Sequence, residues 1–239
     1  MTIDHHEVLA SYSRRFTEAV SGPGALDAEV PSCPGWTVGD LVEHLADVQS
    51  WWELVLRAGG PMPDEDLARV AAKTGPDRVG GWRGINARYL EAQRTTPDDT
   101  PTWTWWNAER LTTAGVVAWR QAHEAVVHGW DAENAVGVPG PIEPEVAADG
   151  VEEFLTHFLH GPEWTRPPLA LELRATDVDR VWAVATEGRQ PHVVHAGAVG
   201  NVINGTAEEL YLALWRRGEP TVAVGDAQAS AFLSWTDLS

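Results

Sequence analysis

Val8, Leu9, Tyr12, Phe16 and Val20 recur at helical spacing until Ser21-Gly22-Pro23-Gly24 breaks the pattern, which predicts a first helix. The next start is marked by Thr37, an N-cap with Asp40 three residues on, flanked by Trp36 and Leu41 in the positions of a hydrophobic staple. A long helix is expected from about Val38 to Ala58, with Leu41, Leu45, Val48, Trp52 and Val55 as its apolar stripe. A loop with Gly59-Gly60-Pro61 and Gly75-Pro76 leads to a third helix, about Trp82 to Thr95, that turns Ile85, Tyr89 and Leu90 inward. A fourth, from about Ala108 to Ala135, carries Val116, Trp119, His123, Val126, Val127 and Trp130 on one face. Four helices patterned in this way predict an antiparallel bundle.

Val136-Gly137-Val138-Pro139-Gly140-Pro141 ends the fourth pattern, and a shorter helix, about Pro144 to Leu159, runs into Gly161-Pro162 and Pro167-Pro168. The domain boundary is placed there, giving a helical domain over 1–163 and a second domain over 164–239. Beyond it the period changes from helical to alternating. Leu169–Arg174, Val181–Val184 and Val193–His195 predict strands, and Thr206 with Glu209 marks a capped helix through Leu210, Leu214 and Trp215. Thr221–Val224 and a last helix after Asp226 complete a small α+β domain. The expected fold class is therefore α plus α+β.

Composition narrows the possible partners. The chain has 239 residues, 44% of them hydrophobic, enough to bury a core. No run approaches the roughly 18 apolar residues of a membrane span, and the N-terminus lacks the blocks of a secretory signal, so no membrane partner and a cytoplasmic location are expected. Lys and Arg number 17 against 35 Asp and Glu, and the formal charge of −18 repels a phosphate backbone; nucleic acid is not an expected partner. Cys33 is the single cysteine, so a disulfide or thiolate-rich metal site within one chain is excluded. Any thiol chemistry must draw its thiol from outside. Thirteen tryptophans, some grouped at Trp51-Trp52 and at Trp103, Trp105 and Trp106, are packing residues or, in the second group, the rim of a pocket. A monomer is the default expectation.

The densest chemistry lies in Ala122-His123-Glu124-Ala125-Val126-Val127-His128. Glu124 and His128 are four apart and project from one side of a helix, where a carboxylate and an imidazole can share a divalent ion. The best third donor is His44, at the edge of the apolar stripe of the second helix. Two nitrogens and one oxygen with an open position suit a catalytic rather than a structural site, with zinc the leading ion ahead of nickel, iron(II) or manganese. The same spacing also suits a solvated, ion-paired helix face made of Arg120, Glu124, His128 and Asp131. His123 points about 100° away from Glu124 and is read as structural.

The run Val30-Pro31-Ser32-Cys33-Pro34-Gly35-Trp36-Thr37 through His44-Leu45, followed by Arg120 through Glu133, resembles the mycothiol-dependent maleylpyruvate isomerase family of the DinB-like superfamily. Gly205 through Gly218, then Val224-Gly225-Asp226, is similar to the family's C-terminal domain. The resemblance implies a DinB-like bundle with a divalent metal on His44, Glu124 and His128, and mycothiol as thiol cofactor. It further implies an arginine from the C-terminal domain in the active cleft, for which Arg217 is the best match and Arg216 the competitor. Arg120 and Asp131 are read separately as residues that would orient the metal ligands. Cys33 falls in the family's Cys-Pro-Gly-Trp motif, which points to shaping of a turn. The implied activity is cis–trans isomerisation of maleylpyruvate or a related small molecule by reversible thiolate addition. Transfer of the thiol to an electrophile, or non-catalytic binding of a small ligand, are the alternatives.

Overall fold

The computed structural model describes residues 3–59, 73–107, 112–186, 191–194, 200–217, 223–224 and 227–236. The chain divides into two compact units, Met1–Gly140 and Pro141–Ser239.

The first unit is built from helices α1 (His5–Val20), α2 (Val38–Ala58), α3 (Arg78–Thr95) and α4 (Ala114–Ala135). Their starts are fixed by polar side chains that take up otherwise unpaired backbone N–H groups. Asp4 caps α1, and Asp77 and Thr113 cap α3 and α4. Thr37 and Asp40 form the reciprocal pair expected from sequence at the head of α2. Helix α1 packs along α4 and α2 along α3, with further contacts between α1 and α3 and between α2 and α4. Phe16, Val20, Leu41, Val42, Leu45, Trp82, Ile85 and Ala132 meet in one buried cluster. Burial of the larger of these side chains stabilises the bundle by about 1.5–3 kcal/mol each. A buried polar thread adds register: Asn86 Nδ2 donates to Ser13 Oγ at 3.1 Å and to Gln49 Oε1 at 3.0 Å, tying α3 to α1 and α2.

Two starts differ from expectation. Helix α3 begins at Arg78, before Trp82, because Asp77 supplies the cap. Helix α4 begins at Ala114, whereas its periodicity extends back to Ala108. Thr112 and Thr113 (β2) instead pair antiparallel with Pro101 and Thr102 (β1), and Thr113 then caps the helix. Residues 108–111, the Gly60-Pro61 turn, His195, Thr221 and Val222 lie outside the described residues.

The second unit opens with α5 (Pro144–His157), which the sequence reading grouped with the bundle. Its buried face, including Val151 and Phe154, packs on α6 (Ala207–Leu214), and Phe154 meets Trp215 edge-on at 5.0 Å. That apolar face has its partners in the second unit, so the contacts divide the chain at 140/141 instead of 163/164. The sheet comprises β3 (Ala170–Ala175), β4 (Val181–Thr186), β5 (Pro191–Val194), β6 (Asn201–Gly205) and β7 (Ala223–Val224), in the order β5-β4-β3-β6-β7. β3 pairs antiparallel with β4 and parallel with β6. β6 was not foreseen: no strand is expected over Asn201–Gly205 from the sequence, but Ile203 is fully buried between two neighbours. A last helix, α7 (Ala227–Leu233), follows.

Candidate metal centre

His44 sits in the second turn of α2, and Glu124 and His128 lie one turn apart on α4. His44 Nε2 is 3.2 Å and His128 Nε2 3.4 Å from the same oxygen, Glu124 Oε1. One ligand atom from each residue lies within 4.8 Å of the others. The two imidazoles meet edge to face at 5.0 Å. The three donors expected from the sequence thus share one small volume in the first unit.

Each donor is held from behind. Arg120, one turn before Glu124 on α4, gives its guanidinium to Glu124 Oε2, which leaves Oε1 for the histidines. Burial pushes the Glu124 carboxyl upward, but Arg120, His128 and His44 outweigh it and hold the group well below the usual carboxylate range. His128 Nδ1 meets Asp131 Oδ2 at 3.0 Å, and Asp131 is fully buried. Burial works against the His128 cation, but Glu124 and Asp131 raise its pKa to about 9. Arg120 and Asp131 therefore lie behind the three side chains.

Two further residues come from the loop before α2, where sequence patterning offered no means of finding them. Cys33-Pro34-Gly35-Trp36 forms a tight turn, closed by a 3.0 Å bond from Trp36 N to Cys33 O, with Gly35 at φ 85°. A proline followed by a residue at positive φ fits a type II turn, which favours glycine there. The neck of the loop is tied by Val30 N to Trp36 O at 2.9 Å and Val38 N to Ala28 O at 2.9 Å. This geometry sets Ser32 Oγ 2.5 Å from Asp131 Oδ1, where it donates to the carboxylate, and brings the Trp36 ring to 5.2 Å from His44. Cys33 Sγ lies 4.0 Å from Asp131 Oδ2, on the supporting carboxylate and not among the three donors.

The donor set fits a divalent ion. Ligand atoms each about 2.1 Å from a tetrahedral zinc stand about 3.4 Å apart, close to the two separations measured from Glu124 Oε1. Side-chain exposure rises from 11% and 12% for Glu124 and His128 to 32% for His44, so the cluster has a buried back and an accessible side. Three protein ligands with one open side is the arrangement of a catalytic zinc site. A separate cleft of about 580 Å³ in the same unit is lined by Arg15, Glu18, Glu133 and Val136 and holds none of these donors.

The remaining sequence candidates lie elsewhere. His123 is fully buried on α4 and is not part of the donor cluster. Trp52 and Trp106 approach to 5.5 Å, Trp51 and Trp103 to 6.3 Å, and Trp105 and Trp106 to 5.3 Å, so the tryptophan loop is anchored on α2. Arg216 and Arg217 belong to the second unit, just after α6. Arg216 Nη2 donates to Ser234 O at 3.1 Å and to Thr236 O, and its Nε lies 3.4 Å from Leu233 O. Its guanidinium is committed to the carbonyls that end α7. Arg217 Nη1 donates to Trp215 O at 2.7 Å, with its guanidinium 5.8 Å from the centre of the Trp215 ring.

Residues 7–133 match the family model described as mycothiol maleylpyruvate isomerase N-terminal domain, and residues 145–231 match the model of the corresponding C-terminal domain. No curated protein sequence matches the chain. Among solved structures, the fold is similar to the crystal structure of the mycothiol-dependent maleylpyruvate isomerase, with a TM-score of 0.63 and 17% identity over 93% of each chain. A mutant of that enzyme gives a TM-score of 0.64 at 16% identity, again over 93% of both chains. With its larger domain model spanning more than half of the sequence and carrying all three donors, the chain belongs to the mycothiol maleylpyruvate isomerase family.

Proposed function

We propose that this protein is a metal-dependent, mycothiol-using isomerase that converts maleylpyruvate, or a related compound with a conjugated cis double bond, into its trans isomer. The observation that carries the reading is the convergence of His44 Nε2 and His128 Nε2 on Glu124 Oε1, on a cluster with an accessible side. His44, Glu124 and His128 would hold a divalent ion, which together with the thiol cofactor would supply at neutral pH a thiolate capable of reversible addition to the double bond.

The chain's own residues prepare that chemistry. Arg120 fixes the Glu124 carboxylate in one orientation and keeps it ionised. When His128 gives up a proton to serve as a ligand, Asp131 would hold the remaining proton on Nδ1 and so select the tautomer with a free Nε2 lone pair. A cation facing the substrate's conjugated carbonyl oxygen would stabilise the negative charge that thiolate addition would place there. We assign that role to Arg217, since the Arg216 guanidinium already serves the end of α7. The strongly acidic surface makes a dedicated cation the more necessary for an anionic substrate.

The test is metal analysis of the purified protein followed by incubation with mycothiol and maleylpyruvate. Formation of fumarylpyruvate with the thiol concentration unchanged is the expected result. Stoichiometric loss of thiol identifies an S-transferase, and a protein that takes up no divalent ion overturns the metal-dependent reading.

A further inference from the structure

Gln121 lies three residues before Glu124 and seven before His128, so the three share one stripe of α4. Its side chain is 2% exposed, and its Oε1 is buried and accepts no hydrogen bond among the described residues. Other interior amides of the bundle are satisfied. Gln49 Oε1 accepts from Asn86, while Gln93 accepts from Tyr89 at 3.0 Å and donates to Ala114 O at 3.1 Å. An unmet buried carbonyl is uncommon in folded proteins and calls for an explanation. Here the exception sits one turn before Glu124 and two turns before His128.

Helix geometry sets the scale. Gln121 is about 4.5 Å from Glu124 along the helix axis, and helical side chains all lean toward the N-terminus, so its amide lies one turn to the N-terminal side of the Glu124 carboxylate on the same stripe. A thiol bound at the cluster would carry its nearest polar groups only a few bonds from its sulfur, within reach of side chains one turn away along α4. A leucine or methionine would fill the position without an unmet acceptor, and helix propensity favours both at least as well as glutamine.

We infer that Gln121 is a binding residue for the thiol cofactor, with Oε1 accepting a hydrogen bond from an N–H or O–H that the cofactor carries a few bonds from its sulfur. The inference rests on the proposed function. It differs from a structural role in one respect: in the ligand-free protein the amide contributes nothing to stability, and its partner arrives with the cofactor.

The experiment compares wild type with Gln121→Leu and Gln121→Met in three measurements: melting temperature of the metal-free protein, zinc affinity, and mycothiol affinity of the zinc-loaded protein by calorimetry. The expected result is a metal-free melting temperature that is unchanged or raised by about 2–4 °C, unchanged zinc affinity, and mycothiol binding at least about tenfold weaker in both variants. Lowered melting temperatures in both variants identify a structural amide and overturn the inference. Unchanged mycothiol affinity overturns it as well, even where turnover falls, since the amide would then serve the substrate. Failure of zinc-loaded wild type to bind mycothiol is a separate outcome: it removes the proposed function, and this inference with it.

Discussion

Arg120 and Glu124 stand one turn apart on α4, and the guanidinium takes one carboxylate oxygen while the other, Oε1, faces both His44 and His128. The pair divides Glu124 into a structural half and a ligand half. Both side chains are almost entirely buried, so removing the arginine leaves the interior Glu124 charge with only the two histidines to compensate it. Arg120→Met is expected to destabilise the metal-free protein by about 3–5 kcal/mol and to raise the Glu124 pKa. Urea unfolding at pH 7 measures the first effect. A variant as stable as wild type would show that Arg120 is not what compensates Glu124.

Metal binding should appear as stability, because the three donors come from two helices and converge only in the folded bundle. Zinc at a hundred times its dissociation constant adds about 2.7 kcal/mol to a protein that binds it only when folded. A rise in melting temperature on adding zinc, reversed by a chelator, is expected for wild type and absent from His128→Ala and His44→Ala. An equal rise in the histidine variants would place zinc elsewhere on the acidic surface.

The same residues set a pH dependence for the metal-free protein. His128 titrates near 6.5 when unfolded and near 9 when folded, so folding favours its protonated form. The stability it contributes is complete below pH 6.5 and is lost as pH rises through 9, a change on the order of 3 kcal/mol. Glu124 acts in the opposite sense: its depressed pKa contributes stability above about 4.5 that is lost as pH falls further. Metal-free protein should therefore be most stable between these limits and lose stability from pH 6.5 to 9. In His128→Gln that alkaline loss should be absent, which unfolding curves at pH 6, 7.5 and 9 would measure.

The grouping of His44, Glu124 and His128 was legible in the sequence because helical spacing alone aligns Glu124 with His128, and because His44 breaks an apolar stripe whose position is set by the Thr37–Asp40 cap. Ser32 and Trp36 were not. Their place depends on how a tight turn folds back from α2 onto α4, a contact about 100 residues long in sequence for Ser32, and no periodicity encodes it. Strand β6 was hidden for a different reason. Asn204-Gly205 is strong turn chemistry locally, and only pairing with β3 on one side and β7 on the other makes the segment a strand. Helix α5 was recognised as a helix but grouped with the bundle. The proline-rich stretch after it looks like a linker, whereas the partners of its apolar face lie further along the chain.

Ser32 offers a test of how far the support behind the site extends. Its hydroxyl donates to Asp131, and Asp131 orients His128, so the loop before α2 is linked to a metal donor through one buried carboxylate. Residues that hold a metal ligand in place typically account for 10–100-fold in affinity. Ser32→Ala is expected to weaken zinc binding by about tenfold and Asp131→Asn by up to about a hundredfold, with the bundle still folded by circular dichroism. Competition with a chromophoric chelator reads both. Undiminished zinc affinity in Asp131→Asn would remove the carboxylate from any role at the site.

Arg216 and Arg217, adjacent in sequence, should separate cleanly in experiment. Arg216 adopts φ 57°, the left-handed position that follows many helices, with its N–H bonded to Ala213 O and that of Arg217 bonded to Leu212 O. These two bonds form a Schellman cap on α6, where glycine is the usual residue. An arginine there carries strain of about 1 kcal/mol relative to glycine, offset by the hydrogen bonds from its guanidinium to the end of α7. Arg216→Ala keeps the strain and loses those bonds, so its melting temperature should fall while the kcat of the folded fraction stays near wild type. Arg217→Ala gives up a bond to Trp215 O and a ring contact among its interactions. If Arg217 steadies the charge that develops on the substrate, kcat/KM should drop by about a hundredfold with the melting temperature little changed. The opposite pattern, with activity lost in Arg216→Ala and retained in Arg217→Ala, would reverse the assignment.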